Sequence, residues 1–122
     1  MPKRILVVDD DPVVVHILES RLKDNGYEVM VTQEATNGLE MAMKQFPDLI
    51  ILDVMMPIVN GYNFCRLLKS QDKHKNIPVM MLTSRSEEQD RRIGEEVGAD
   101  AYIVKPFNID ELLGTVRQLL RI

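Results

Sequence analysis

The sequence predicts an α/β domain: a single doubly wound sheet of five parallel strands with five helices on its two faces. Two observations carry this expectation. Short apolar runs alternate strictly with helical patterns from one end to the other, the signature of parallel strands joined by crossover helices. Most of those runs are also continuous rather than alternating, as in Leu49-Ile50-Ile51-Leu52, which fits strands buried on both faces. Right-handed crossovers then distribute the helices over both faces. With 122 residues, the chain fits one domain, 1–122, able to bury a core without disulfides or structural metal.

Each element has its own signal. Residues 4–8 read as a strand, and Pro12 to about Asn25 as a helix with Val14, Ile17, Leu18 and Leu22 on one face. Gly26 stands where a C′ glycine ends a helix. Tyr27-Glu28-Val29-Met30-Val31 alternates, as an outer strand does. Leu39, Ala42, Met43 and Phe46 stripe a second helix, stopped by Pro47. Residues 48–52 form the most continuous apolar run and are expected at the centre of the sheet.

Tyr62 to about Ser70 is a third helix, followed by the polar connector 71–76. Residues 77–82 are the fourth strand, with Pro78 tolerable only near its start. Ser86-Glu87-Glu88-Gln89 has capping-box spacing and opens a helix over 87–97. That helix is mostly charged, offers Ile93 and Val97 as apolar anchors, and carries Gly94 in its middle. Residues 101–104 are the fifth strand. Asn108 caps a last helix striped by Leu112, Leu113, Val116, Leu119 and Leu120.

Composition narrows the function classes. Hydrophobic content of 45% and charged content of 28% are ordinary for a globular domain. A net charge of −4 argues against direct nucleic-acid binding, which wants a basic footprint. Charged residues or prolines interrupt every apolar run, and Met1-Pro2-Lys3-Arg4 leads directly into a strand pattern, so neither a membrane span nor a signal peptide is expected. A cytoplasmic location is the expectation. Cys65 is the single cysteine, flanked by Phe64, Leu67 and Leu68, and reads as a helix packing position. His16 and His74 lack ligand-like spacing and read as surface residues. The eight methionines are mostly core filler, Met55 excepted.

The chemistry lies at strand ends. Asp9-Asp10-Asp11 follow the first strand, Asp53 closes the third and Lys105 closes the fifth. Ligands of parallel α/β sheets bind in the crevice outside those carboxyl ends, so these acids and the lysine converge there. Two like charges about 4 Å apart repel by roughly 4 kcal/mol near a protein surface. A hard cation relieves that repulsion, and carboxylates suit Mg²⁺. Carboxylates, a divalent cation and a lysine together fit a phosphoryl group, which a carboxylate can accept as an acyl phosphate. Asp11 precedes Pro12, a favoured first helical residue, and is therefore read as a helix cap outside the site.

Val8-Asp9-Asp10, the segment Asp53-Val54-Met55-Met56-Pro57-Ile58-Val59-Asn60-Gly61, Leu82-Thr83-Ser84 and Lys105-Pro106-Phe107 occur in this order, each at a strand end. With these marks the chain resembles, over essentially its whole length, the receiver domain of bacterial two-component response regulators. The resemblance implies a flavodoxin-like, chemotaxis-regulator-like sheet of order 2-1-3-4-5. It implies that Asp53 is the phosphoacceptor and that Asp10 binds Mg²⁺ directly, with Mn²⁺ able to substitute. Asp9 would act directly or through water, and the Met55 backbone carbonyl would complete the protein ligands together with Asp53. Thr83 and Lys105 would contact the phosphoryl oxygens, and Lys105–Pro106 would be cis. By the same resemblance, Met55 and Arg85 would hold the two variable positions that tune acyl-phosphate lifetime in receivers.

The same resemblance implies a switch. Phosphorylation would draw Thr83 toward the phosphoryl group and turn Tyr102 inward, changing the face made by the helix over 87–97, the fifth strand and the last helix. A sensor histidine kinase or histidine phosphotransfer protein would donate the phosphoryl group, and an output domain or protein partner would read the changed face. Thr83–Phe107 resembles receivers attached to winged-helix transcription factors, in which Arg91 and Glu111 match one cross-subunit ion pair. Ala101 and Thr115 stand where those receivers carry an acid and a base, which leaves the pairing open. Three rivals are weaker. A phosphatase or mutase with an aspartyl-phosphate wants a second acid where Met55 stands, and a flavin carrier wants a phosphate cradle where Asp9-Asp10-Asp11 would repel phosphate. A degenerate docking domain would not keep Asp9, Asp10, Asp53, Thr83 and Lys105 together.

Overall fold

In the computed structural model, which describes residues 2–56, 60–84, 92–93 and 95–122, the strands form one parallel sheet. The elements run β1 (Arg4–Val8), α1 (Pro12–Asp24), β2 (Glu28–Thr32), α2 (Ala35–Gln45), β3 (Leu49–Asp53), α3 (Gly61–Lys69), β4 (Val79–Thr83), β5 (Ala101–Val104) and α4 (Ile109–Leu120). The strand order is β2-β1-β3-β4-β5, the doubly wound order expected. Val7 pairs with Val31 on one side and with Ile51 on the other. Asp53 pairs with Leu82, and Thr83 with Val104. This register brings the carboxyl ends of β1, β3, β4 and β5 level.

The continuous apolar runs are buried as predicted. Ile5 to Val8, Leu49 to Leu52 and Val79 to Leu82 have no exposed surface. Alternate residues feed two cores. Leu6, Ile50 and Met81 pack with Ala42 of α2 and with Phe64, Cys65 and Leu68 of α3. Ile5, Ile51 and Met80 pack with Leu18 and Leu22 of α1 and with Leu112, Leu113 and Val116 of α4. A fully buried Leu or Ile contributes about 1.5–3 kcal/mol over an exposed one, so the central strands are pinned from both faces.

The caps follow the sequence. Asp11 caps α1, its Oδ1 accepting from the Val13 N–H at 2.9 Å. Asn108 caps α4 by accepting from Glu111 N–H at 3.0 Å. Gly26 takes φ +87° just past α1, the left-handed conformation that glycine adopts without strain. Cys65 is buried, and its thiol donates to the Val97 carbonyl at 3.4 Å. Burial pushes that thiol up to about 11.

Several expectations need correction. Strand β4 begins at Val79, not residue 77: Pro78 cannot donate to a ladder, and its carbonyl instead accepts from Ile50 N–H at 3.0 Å. Ile17 is 42% exposed, and Val15 takes its place among the buried residues of α1. Phe46 leaves the α2 stripe, taking a left-handed φ of 48° as the C-cap and standing 48% exposed. His74 is not a surface residue. A tight turn, with Lys75 N–H donating to Gln71 O at 2.8 Å, folds it under the end of α2, where it is 8% exposed. Its Nε2 lies 2.9 Å from the Met43 carbonyl and its ring stacks on Phe46 at 4.4 Å.

The helix expected over 87–97 falls largely outside the described residues, including its capping box, Arg91 and Gly94, so four helices have bounds among the described residues. Residues 92–93 and 95–96 are helical. Val97 joins the core with 5% exposure, but Ile93 is 37% exposed and is no anchor. Among the described residues no helix is long and apolar enough to cross a membrane.

Candidate functional site

The site forms where four strands end. Asp9 and Asp10 follow β1, Asp53 ends β3, Thr83 ends β4 and Lys105 follows β5. Asp9 and Thr83 have no exposed surface, and Asp53 is 4% exposed. Asp10 is exposed and Lys105 half-buried. Asp9, Asp10 and Asp53 each offer a carboxylate oxygen, all within 4.8 Å of one another.

The ammonium of Lys105 lies 2.8 Å from Asp9 Oδ2 and 3.7 Å from Asp53 Oδ1. The closer partner is Asp9, although the sequence reading gave Lys105 to the phosphoryl oxygens and paired it with neither acid. Charge type alone places a lysine near acids; only the fold decides which one it touches. Asp9 Oδ1 also accepts from the Asp11 N–H at 2.9 Å, and Asp53 Oδ1 from the Met55 N–H at 3.2 Å. Those backbone donors were invisible in residue identities.

The electrostatics are uneven. Burial raises the Asp53 carboxyl from 3.8 to about 6, helped by the charge of Asp9 and opposed by Lys105 and the Met55 N–H. Burial alone would lower the Lys105 ammonium, but its hydrogen bond to Asp9 and the charges of Asp9, Asp53 and Asp11 outweigh that and raise it. Asp53 is therefore an acid held in a place that resists its charge. A hard divalent cation would relieve it, and the donor set fits Mg²⁺: carboxylate oxygens from three residues, one of them exposed to keep water on the ion.

Gly61 completes the floor. Its N–H donates to Val54 O at 2.9 Å, and a Cβ there would stand 2.6 Å from the Asp53 carbonyl oxygen. The motif ending in Gly61 thus needs a residue without a side chain so that α3 can start against the strand. Asn60 caps that helix, accepting from Asn63 N–H at 2.9 Å.

Just past β5, Lys105 N–H donates to Thr83 O at 2.6 Å, and the Lys105–Pro106 bond is cis. Tyr102 is half-buried against the core on the α2 and α3 face. It lines, with Pro106, Phe107, Asn108 and Glu111, a groove of about 250 Å³. Met55 is 49% exposed. Arg85 lies outside the described residues.

Comparison with known proteins agrees with this geometry. The profile of the response regulator receiver domain matches residues 5–117. The DNA-binding dual master transcriptional regulator RpaA of Synechocystis sp. is 41% identical over 118 residues, covering 97% of this chain and 49% of RpaA. The chain spans about half the length of the curated relatives it matches. Among solved structures, the chemotaxis response regulator CheY4 of Vibrio cholerae superposes with a TM-score of 0.92 at 34% identity, covering 98% of this chain and 99% of that one. The receiver domain of the sensor histidine kinase PA1611 from Pseudomonas aeruginosa PAO1 superposes with a TM-score of 0.91 at 27% identity, each chain fully covered. That structure has a magnesium ion coordinated in its active-site cleft.

Proposed function

Because the chain belongs to the response regulator receiver family, we propose that it is a phosphorylation-activated signalling switch with Asp53 as its phosphoacceptor. One observation carries the reading: Asp53 lies buried at the end of a central strand, with two further carboxylates and the Lys105 ammonium around it. An Asp53 oxygen attacks the phosphorus of a phosphohistidine on a kinase or phosphotransfer protein. A P–O bond forms, the P–N bond breaks, and the imidazole leaves with its proton restored from solvent. The product is an aspartyl phosphate.

Asp10, Asp53 and the Met55 carbonyl would hold Mg²⁺, with Asp9 directly or through water, and Mn²⁺ would fit the same oxygens. Bound there, the ion supplies positive charge to the phosphoryl oxygens. Lys105 supplies a second positive charge, and Thr83, at the end of β4, offers a hydroxyl. The site assists its own phosphorylation and slow dephosphorylation and turns over no external metabolite. The relatives' greater length supports an output domain or protein partner; it would read the face made by the helix expected over 87–97 together with β5 and α4, with Thr83 and Tyr102 relaying the change. Acidic net charge supports a receiver that itself binds no nucleic acid, and its place is the cytoplasm.

Incubation with Mg²⁺ and acetyl phosphate, followed by intact mass, tests the reading. A single phosphate-sized gain, lost in Asp53→Ala, is expected. Absence of any gain in the wild-type protein, with Mg²⁺ binding also undetectable, would favour the degenerate docking domain.

A further inference from the structure

The methionines divide by exposure. Among the described residues, Met56, Met80 and Met81 are buried, and Met30, Met41 and Met43 are half-buried against the core. Met55 alone of these seven is exposed, at 49%. It is also anchored beside the acids, since its N–H donates to Asp53 Oδ1 at 3.2 Å. A thioether in solvent reacts with peroxides, whereas a packed one is shielded; oxidation turns a flexible apolar side chain into a polar one. Selective access and a fixed place next to the nucleophile coincide in one residue.

We propose that Met55 is an oxidation site, and that its sulfoxide shortens the life of the phosphate on Asp53, making the switch responsive to peroxide. The coupling rests on the phosphoacceptor reading above. In the reaction the sulfur attacks one peroxide oxygen: an S–O bond forms, the O–O bond breaks, the sulfur is oxidised by two electrons and the peroxide is reduced to water. On this proposal the thioether, solvent-exposed and two residues past Asp53, would present an apolar group to water approaching the acyl phosphate. The sulfoxide oxygen is a hydrogen-bond acceptor that can hold such a water. One added hydrogen bond in the transition state corresponds to about a fivefold faster hydrolysis.

Limiting hydrogen peroxide and peptide mapping test the first half. Met55 should gain one oxygen well before Met30, Met41, Met43, Met56, Met80 and Met81; equal rates would overturn the site. The second half is read from the decay of the phosphorylated mass after acetyl phosphate is removed. Oxidised wild-type protein should lose phosphate about fivefold faster, the cost of one hydrogen bond, and methionine sulfoxide reductase should restore the original rate. Peroxide should leave the decay of Met55→Leu at that variant's own untreated rate. An unchanged lifetime in the oxidised wild type, or the same acceleration in Met55→Leu, would overturn the coupling. Untreated protein that takes up no phosphate would sink the phosphoacceptor reading and the coupling with it, leaving the oxidation map to stand on its own result.

Discussion

Asp53 is an acid whose surroundings oppose its charge, and that has a sign that can be measured. Its carboxyl is raised from 3.8 to about 6, so between those values the native state keeps a proton that the unfolded chain has released. Stability from this group therefore falls as pH rises through the window, and the loss is complete above about 6. Thermal unfolding in EDTA should show Asp53→Asn gaining on wild type by roughly 2 kcal/mol between about pH 4 and about pH 7. A constant difference would contradict the assignment. Mg²⁺ affinity should fall as pH drops through about 6, because the ion needs the deprotonated carboxylate; isothermal titration at both ends of the window checks this. Lys105→Met should leave Asp9 buried without its ammonium and cost about 2 kcal/mol in urea unfolding, besides slowing phosphate uptake. At this scale the sequence was a good guide to which side chains meet. It did not reveal that Lys105 holds Asp9 more closely than Asp53, because both are acids at strand ends and identity does not encode distance.

Elements show where local pattern suffices and where it fails. Strand β3 and helix α4 were legible because their burial is continuous or strictly periodic. The connector 71–76 was not: five of its six residues are polar or charged in keeping with solvent, and the sixth, His74, is folded inward by a turn that composition does not specify. Its stacking on Phe46 and contact with Met43 O bind the connector to the end of α2. His74→Ala should destabilise the domain by about 1–2 kcal/mol in urea, with no loss of phosphate uptake. Gly61→Ala makes the opposite kind of test. Its Cβ would need space held by the Asp53 carbonyl, so the strand end or the start of α3 must shift. A loss of about 1–3 kcal/mol is expected, together with weaker Mg²⁺ binding; a neutral variant would show that α3 can retreat without disturbing Asp53.

For the whole molecule, the alternation of runs carried the parallel sheet and its two helical layers, whereas the strand order came from the family resemblance. The input end was equally legible. The proposed output face was less so, because Ile93 is exposed rather than an anchor, leaving Val97 as the buried contact of the described residues in that segment. Phosphorylation can move such a face only by stabilising one of two coexisting forms. NMR should therefore show exchange around Tyr102 and residues 92–97 before phosphorylation, with one form selected by an acyl-phosphate mimic. A single unshifted set of signals would rule the switch out.

The hydrogen bond between Lys105 and Asp9 joins residues 96 positions apart and spans the distance from the first strand to the last. Closing a contact of such separation carries a loop-entropy cost that an ordered intervening chain has already met. A chain still lacking its docked fifth strand holds its acids together without their ammonium. On the proposed function, Lys105 can assist phosphate uptake only once the fifth strand is docked, which ties that competence to the completed sheet.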